Sequence, residues 1–219
     1  CDIVRVSVLD EKDVRALARI MPHISIPLCA DIHFDYNLAL GAIKHNVDKI
    51  RINPGNLEDR DKIGAVVRAA QKKKIPIRIG ANSGSVNKNI HKGRTFHERL
   101  AQSVLVTLEF IESLGFSDLV VSAKSHSVTD TIAANRILAR QSPYPIHIGV
   151  TASGGSEYAR IKSSVGIGAL LAEGIGDTIR VSLTDTPIKE IHVAKEILES
   201  LNLRQRDWEV ISCPTCGRT

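Results

Sequence analysis

Residues 26–53 read IPLCADIHFDYNLALGAIKHNVDKIRIN and contain one complete strand–helix–strand unit. The aliphatic run Ile26 to Ile32 predicts a strand. A helical stretch over 36–45 follows, and Lys49 to Asn53 predicts the next strand. The same alternation extends in both directions. Further strands are predicted at Ile3–Val8, Ile75–Gly80, Leu119–Ala123, Ile146–Val150 and Thr178–Leu183, with helices over 11–21, 58–73, 95–114, 128–141, 157–173 and 187–201. Gly115 and Gly174 follow helical runs directly, as stop signals should.

Seven such units without a hairpin signal imply a parallel sheet and an α/β fold. A doubly wound sheet would carry a glycine-rich phosphate turn after its first strand, and none is present. The expected fold is therefore a parallel (β/α)8 TIM-type barrel lacking its first β/α unit, because the chain opens inside a strand. The barrel is expected to occupy residues 1–207. Trp208 to Ser212 forms a short strand-like run leading into Cys213-Pro214-Thr215-Cys216. Residues 208–219 thus read as the truncated start of a second, C-terminal domain.

Composition agrees with one sizeable domain: 219 residues, 43% hydrophobic and 24% charged. With only 4% aromatics the core must be aliphatic, as in parallel strands covered on both faces. No apolar run approaches the roughly 18 residues of a membrane span. No signal-like start is present, so a soluble cytoplasmic protein without membrane partners is expected. The net charge of +5 is dispersed. Its one concentrated patch, Lys72 to Lys74, sits at a helix end, where it complements terminal carbonyls. A nucleic-acid partner would call for a basic stripe with interleaved aromatics, which is absent.

The charges that carry chemistry lie in strands. Arg5, Arg51, Arg78, Lys124 and Arg180 each fall within or at the C-terminal end of a predicted strand. A lone buried arginine there usually belongs to an ion pair. Five on seven strands instead suggest a cup for a strongly anionic ligand at the C-terminal face, where barrel active sites form. Arginine suits bidentate phosphate contacts, and Ser182 shares the face of Arg180. Asp31 and His33, two apart, share a face as an acid/base pair or as contacts to substrate hydroxyls; a structural pairing of Asp31 with a neighbouring arginine is the rival reading. Asn53 and Asn82 close two strands as hydroxyl or phosphate contacts, and Asn56 is placed to cap the next helix. Gly154-Gly155 offers a weak signal for a phosphate-cradling turn. Cys29, mid-strand, reads as a small buried hydrophobe. Cys213 and Cys216 have the spacing to ligate one metal ion or cluster iron, with further ligands needed from elsewhere.

Together these motifs resemble the bacterial 4-hydroxy-3-methylbut-2-enyl diphosphate synthases. The resemblance rests on Asp2-Ile-Val-Arg-Val6, Ala30-Asp-Ile-His-Phe34, Arg51-Ile-Asn-Pro-Gly-Asn56, Arg78-Ile-Gly-Ala-Asn82, Lys162-Ser-Ser-Val-Gly-Ile-Gly168, Gly176-Asp-Thr-Ile-Arg-Val-Ser-Leu183 and Cys213-Pro-Thr-Cys-Gly-Arg218. It runs in order along the whole chain. It implies an oxidoreductase of non-mevalonate isoprenoid biosynthesis that reductively opens 2-C-methyl-D-erythritol 2,4-cyclodiphosphate with loss of a hydroxyl. It further implies a [4Fe–4S] cluster in the C-terminal domain, flavodoxin or ferredoxin as electron donor, and a homodimer in which that domain reaches the partner's barrel. Carried over, Arg5, Arg51, Arg78, Lys124, Arg180 and Ser182 would hold the diphosphate. Asp31, Asn53 and Asn82 would line the reacting end, and Cys213 and Cys216 would be two cluster ligands.

Two stretches depart from the family pattern. Thr151-Ala152-Ser153-Gly154 replaces the usual Thr-Glu-Ala-Gly, leaving an acid/base position to Ala152 or to Glu157 nearby. Ser125-His126-Ser127 replaces Ala-Ser-Asp. The fragment alone is not expected to turn over. The runner-up reading is a redox-silent barrel that binds a phosphorylated metabolite, as a lyase or a binding module. A third takes the two cysteines as half of a structural zinc site.

Overall fold

The computed structural model describes residues 1–57, 59–86 and 94–206. Strands β1 (Val4–Val8), β2 (Leu28–Ile32), β3 (Lys49–Ile52), β4 (Ile77–Asn82), β5 (Leu119–Lys124), β6 (His147–Ile148) and β7 (Thr178–Ile179) alternate with seven helices. These are α1 (Glu11–Ile20), α2 (Tyr36–Lys44), α3 (Arg60–Lys73), α4 (Phe96–Ser113), α5 (Val128–Gln141), α6 (Ser156–Ala172) and α7 (Pro187–Ser200). A single 3-10 turn, Met21–His23, extends α1 and was not anticipated.

β1 to β5 form one parallel sheet in sequence order, β6 pairs with β7, and a Val121–Ile146 bridge joins the two groups. A doubly wound sheet reverses its strand order at a switch point, whereas here the order never reverses, which is barrel topology. Among the described residues, β1 and β7 each have a neighbour on one side only.

The helices start where short polar side chains can bind free amide groups. Asp10 accepts from the amides of Lys12 and Asp13, Asp35 from Asn37, and Ser127 from Asp130. Thr95 and Glu98 form a reciprocal capping box. The cap of α3 is Asp59, which accepts from Asp61 and Lys62. Asn56 does not serve there; its amide instead bonds the Asn53 carbonyl in the preceding turn.

The core is one-sided, contrary to the expectation of strands apolar on both faces. Leu28, Ala30, Ile50, Ile52, Ile77, Ile79, Val121 and Ala123 are buried against Ala39, Ala42, Val66, Val67, Leu100, Val104 and Leu138 of the helices. Strand residues alternate faces, so the intervening positions turn inward. Those positions are Arg5, Ser7, Cys29, Asp31, Lys49, Arg51, Arg78, Gly80, Asn82, Val120, Ser122, Lys124, His147, Thr178 and Arg180. An ordinary barrel fills this space with branched aliphatics. Here the interior is largely polar, with cations outnumbering its one carboxylate, Asp31, and burial energy comes from the ring between strands and helices.

β6 and β7 are shorter than the runs Ile146–Val150 and Thr178–Leu183 implied. Side chains hold together what the short ladders do not. Ser122 Oγ donates to the His147 carbonyl at 2.7 Å, and His147 Nδ1 shares a 2.8 Å hydrogen bond with Thr178 Oγ1. β5, β6 and β7 are thereby tied below the mouth of the cup.

Candidate anion-binding site

Asp31, Arg51 and Arg78 stand in register on β2, β3 and β4, so the three side chains form one row across the inner face. Asp31 is completely buried. One of its carboxylate oxygens accepts from Arg51 Nη1 at 2.8 Å, and the other pairs with Arg5 Nη1. Arg51 Nη2 also donates to the Gly80 carbonyl at 2.7 Å. The close approach depends on the glycine, since a Cβ at Gly80 would lie 3.0 Å from Arg51 Nε. Arg51 thus commits both terminal nitrogens to the protein.

The remaining cations are placed differently. Arg78 Nε is buried without a hydrogen-bond partner. Among the described residues, neither Arg78 nor Lys124 has an ion-pair partner, and Arg180 lies 3.7 Å from Glu190 of α7. Glu190, missed in the sequence, also accepts from the Leu183 amide at 2.9 Å. The five cations read as equivalent thus fall into two groups. Arg5 and Arg51 are braced by Asp31, while Arg78, Lys124 and Arg180 present donors to the cup. A buried guanidinium nitrogen without a partner costs about 1–3 kcal/mol or more, which an incoming anion would relieve.

Asp31 was read as an acid/base candidate with an arginine pairing as its rival, and the pairing is what the geometry displays. His33 Nε2 lies 3.6 Å from the same carboxylate. Burial, then Arg51 and Arg5, push the His33 imidazole below its ordinary value. Asn53 and Asn82 use their side-chain oxygens to close turns, accepting from the Gly55 and Gly84 amides at 3.2 Å each. Their amide NH2 groups make no hydrogen bond among the described residues and can donate to a ligand. Ser182 is half-buried on the inward face beyond β7. Cys29 is buried, as expected, but on the inner face opposite Arg5 and Lys49.

Polar residues under α5 support Lys124. Asn135 Nδ2 donates to the Ala123 carbonyl at 2.8 Å, and Thr131 Oγ1 bonds the Ser125 amide and carbonyl. Both residues are fully buried. Their only signal in sequence is two polar residues four apart on the inward side of an amphipathic helix. At the departures from the family pattern, Ala152 is exposed with φ +49° and Glu157 is exposed on the first turn of α6. His126 is anchored at the rim by Lys162 Nζ, which donates to its carbonyl at 3.0 Å.

Burial and mutual repulsion shift the basic groups. Arg5, Arg51 and Arg78 are each drawn down to about 10, chiefly by burial, and remain charged at neutral pH. Lys124 is pushed well below the ordinary lysine value by burial, then by Arg78, Arg180, Arg5 and Arg51. His147 is pushed well down by burial and by Lys124, so it stays neutral. An anion in direct contact with Lys124 Nζ reverses this effect, whereas one held by Arg78 and Arg180 alone does not pair with the amine. The affinity of the former should fall as pH rises from the depressed value towards the ordinary one, by about tenfold per pH unit where one proton is taken up. Calorimetry with inorganic pyrophosphate in buffers of different ionisation enthalpy should detect that uptake. Lys124→Arg, whose guanidinium stays charged, should lack the lysine component.

Among the described residues no group of three or more His, Cys, Asp or Glu is suited to hold a metal ion, and no helix is long and apolar enough to cross a membrane. Cys213 and Cys216 lie outside the described residues.

Fold and site together define a parallel β/α barrel whose inner face gathers cationic side chains from five of its strands and their ends. The likeness to solved structures supports the barrel. Xanthomonas albilineans dihydropteroate synthase matches with a TM-score of 0.61 at 10% identity, over 94% of this chain and 81% of that one. The HMG-CoA lyase of Brucella melitensis matches with a TM-score of 0.59 at 14% identity, over 92% and 79%. Residues 1–195 match the family model described as the GcpE TIM-barrel domain, and the chain belongs to that family. It is 51% identical to a protein of Ruminiclostridium cellulolyticum and 52% identical to ones of Clostridium perfringens and Thermotoga maritima. All three relatives carry the name 4-hydroxy-3-methylbut-2-en-1-yl diphosphate synthase (flavodoxin). The matches cover 100% of this chain but only 62–63% of the relatives' length.

Proposed function

We propose that the full-length protein converts 2-C-methyl-D-erythritol 2,4-cyclodiphosphate to 4-hydroxy-3-methylbut-2-enyl diphosphate, by two-electron reduction with ring opening and loss of the hydroxyl as water. The observation that carries this reading is the group of Arg78, Lys124 and Arg180, cations that face the cup without being neutralised by Asp31. These three with Ser182 bind the diphosphate, and Arg5 and Arg51, held by Asp31, complete the wall. The amides of Asn53 and Asn82 and the neutral imidazole of His33 orient the carbon skeleton at the reacting end. Asp31 acts here mainly through the two guanidinium groups it fixes.

A flavodoxin-type donor, such as the relatives' names print, would provide the electrons, and a [4Fe–4S] cluster, when bound, would supply one-electron chemistry. Cys213 and Cys216 are two of its ligands in this reading, and residues 208–219 open the domain that carries it. Four large apolar side chains support a cover over the mouth. Leu9 and Phe34 follow β1 and β2, and Tyr158 and Ile188 open α6 and α7, with exposures of 63–71%. α7 ends at Ser200, at the opposite end of the barrel from this rim. A domain following α7 therefore meets the mouth of a second copy more readily than its own, which favours a homodimer.

The test is anaerobic reconstitution of the full-length protein with iron and sulfide, followed by reduction of the cyclodiphosphate with dithionite and a mediator dye. Product formation is expected, and Arg78→Met should lower kcat/KM by about 10²-fold or more. Substrate binding without product in a preparation with an assembled cluster would favour the redox-silent barrel and point to Ala152. Absence of substrate binding would overturn the reading.

A further inference from the structure

We propose that Lys124 is also a reactive amine, a site of imine formation with aldehydes or ketones that carry a phosphate group. The inference rests on the reading of the cup as an anion site. Lys124 ends β5 and pairs in register with Asn82 of β4. Its Nζ has no hydrogen bond or ion pair among the described residues. Across from it is Gly149, where a Cβ would lie 3.2 Å from the nitrogen, so the amine faces bare backbone.

The charged and titratable groups around it come from every neighbouring strand. On the inner face they are Arg5 of β1, Cys29 and Asp31 of β2, Lys49 and Arg51 of β3, Arg78 of β4, His147 of β6 and Arg180 beyond β7. Both Asp31 oxygens are taken by Arg51 and Arg5. Glu190 is occupied with Arg180 and the Leu183 amide. Among the described residues no carboxylate pairs with Lys124, and four guanidinium groups oppose an ammonium there. An amine attacks a carbonyl only when unprotonated, and desolvation beside other cations is the general way a lysine reaches that state. The depressed value of Lys124 agrees with this geometry.

The step is balanced without an oxidant or reductant. The Nζ lone pair bonds to the carbonyl carbon, the nitrogen gives up both its hydrogens, and the carbonyl oxygen leaves with them as water. The phosphate of the same molecule is held by Arg78 and Arg180, which fixes the carbonyl near the amine. An unphosphorylated aldehyde lacks that anchor.

The experiment treats the full-length protein with pyridoxal 5′-phosphate, reduces the mixture with borohydride and maps the modified lysines by mass spectrometry. Lys124 should be labelled about tenfold faster than exposed lysines such as Lys72 to Lys74, the advantage expected of a desolvated amine at neutral pH. Inorganic pyrophosphate should suppress the reaction, and pyridoxal without its phosphate should label Lys124 slowly. Labelling confined to surface lysines, in a sample that calorimetry finds still binding pyrophosphate, would overturn the imine site and leave the cup intact. Failure to bind pyrophosphate would overturn the cup itself. Labelling of Lys124 that pyrophosphate does not slow would overturn the phosphate anchor.

Discussion

Asp31→Ala should lower the stability of the protein by about 3–5 kcal/mol, because it removes the shared partner of two charges and leaves one of them deeply buried. Asp31 is fully buried and Arg51 is only 6% exposed, so water cannot replace the lost carboxylate at Arg51. Arg5, with its side chain 31% exposed, can turn towards solvent and should account for the smaller share. Asp31→Asn keeps the shape and one acceptor oxygen but sets an NH2 donor against one arginine and removes the charge, so it should recover only a small part of the alanine loss. Urea unfolding measures both. A loss below about 1 kcal/mol for alanine would mean that Arg51 is held by the Gly80 carbonyl and its packing instead.

Gly149→Ala should weaken pyrophosphate binding by about 10²-fold, the order expected when a binding group is displaced by about an ångström. A methyl there collides with the Arg180 carbonyl oxygen and crowds Lys124 Nζ, so one substitution moves two cup residues at once. Calorimetry gives the affinity, and chemical denaturation separates misplacement from unfolding. Gly168→Ala provides the contrast. A Cβ at that position of α6 meets nothing within 4 Å, so alanine should raise helix stability by roughly 0.5–1 kcal/mol and leave binding unchanged. Equal affinity for Gly149→Ala and wild type would show that Lys124 and Arg180 do not bind the anion together.

The order of elements was legible because each strand carries its own β-branched run and each helix its own cap or stop. Ile50, Ile52, Ile77 and Ile79 announce β3 and β4 without reference to the rest of the chain. The inward cations were legible for the same local reason, since Arg51 and Arg78 interrupt apolar alternation. Pairing was not legible. Whether Asp31 meets Arg5, Arg51, both or neither depends on the register of three strands, which one sequence does not encode locally. Glu190 reaches Arg180 from a helix that follows the strand, and His147 meets Thr178 across 31 positions. The extents of β6 and β7 were overestimated because Val150 and Val181 look like strand residues. They are buried by packing against helices, not by ladder hydrogen bonds. Asn56 and Asp59 compete for one cap, and the turn that Asn53 closes decides between them.

On the proposed reading, the polar inner face would make a polyanion the counter-ion of the fold. An apolar barrel interior carries no charge for a ligand to balance. In this chain the interior carries an excess of positive charge that repels itself until something of opposite sign arrives. Ligand concentration therefore acts on the amount of folded protein as well as on occupancy, because any group that binds only the native state stabilises it. If the cup takes a polyanion, its supply would then help set how much of the barrel stands folded.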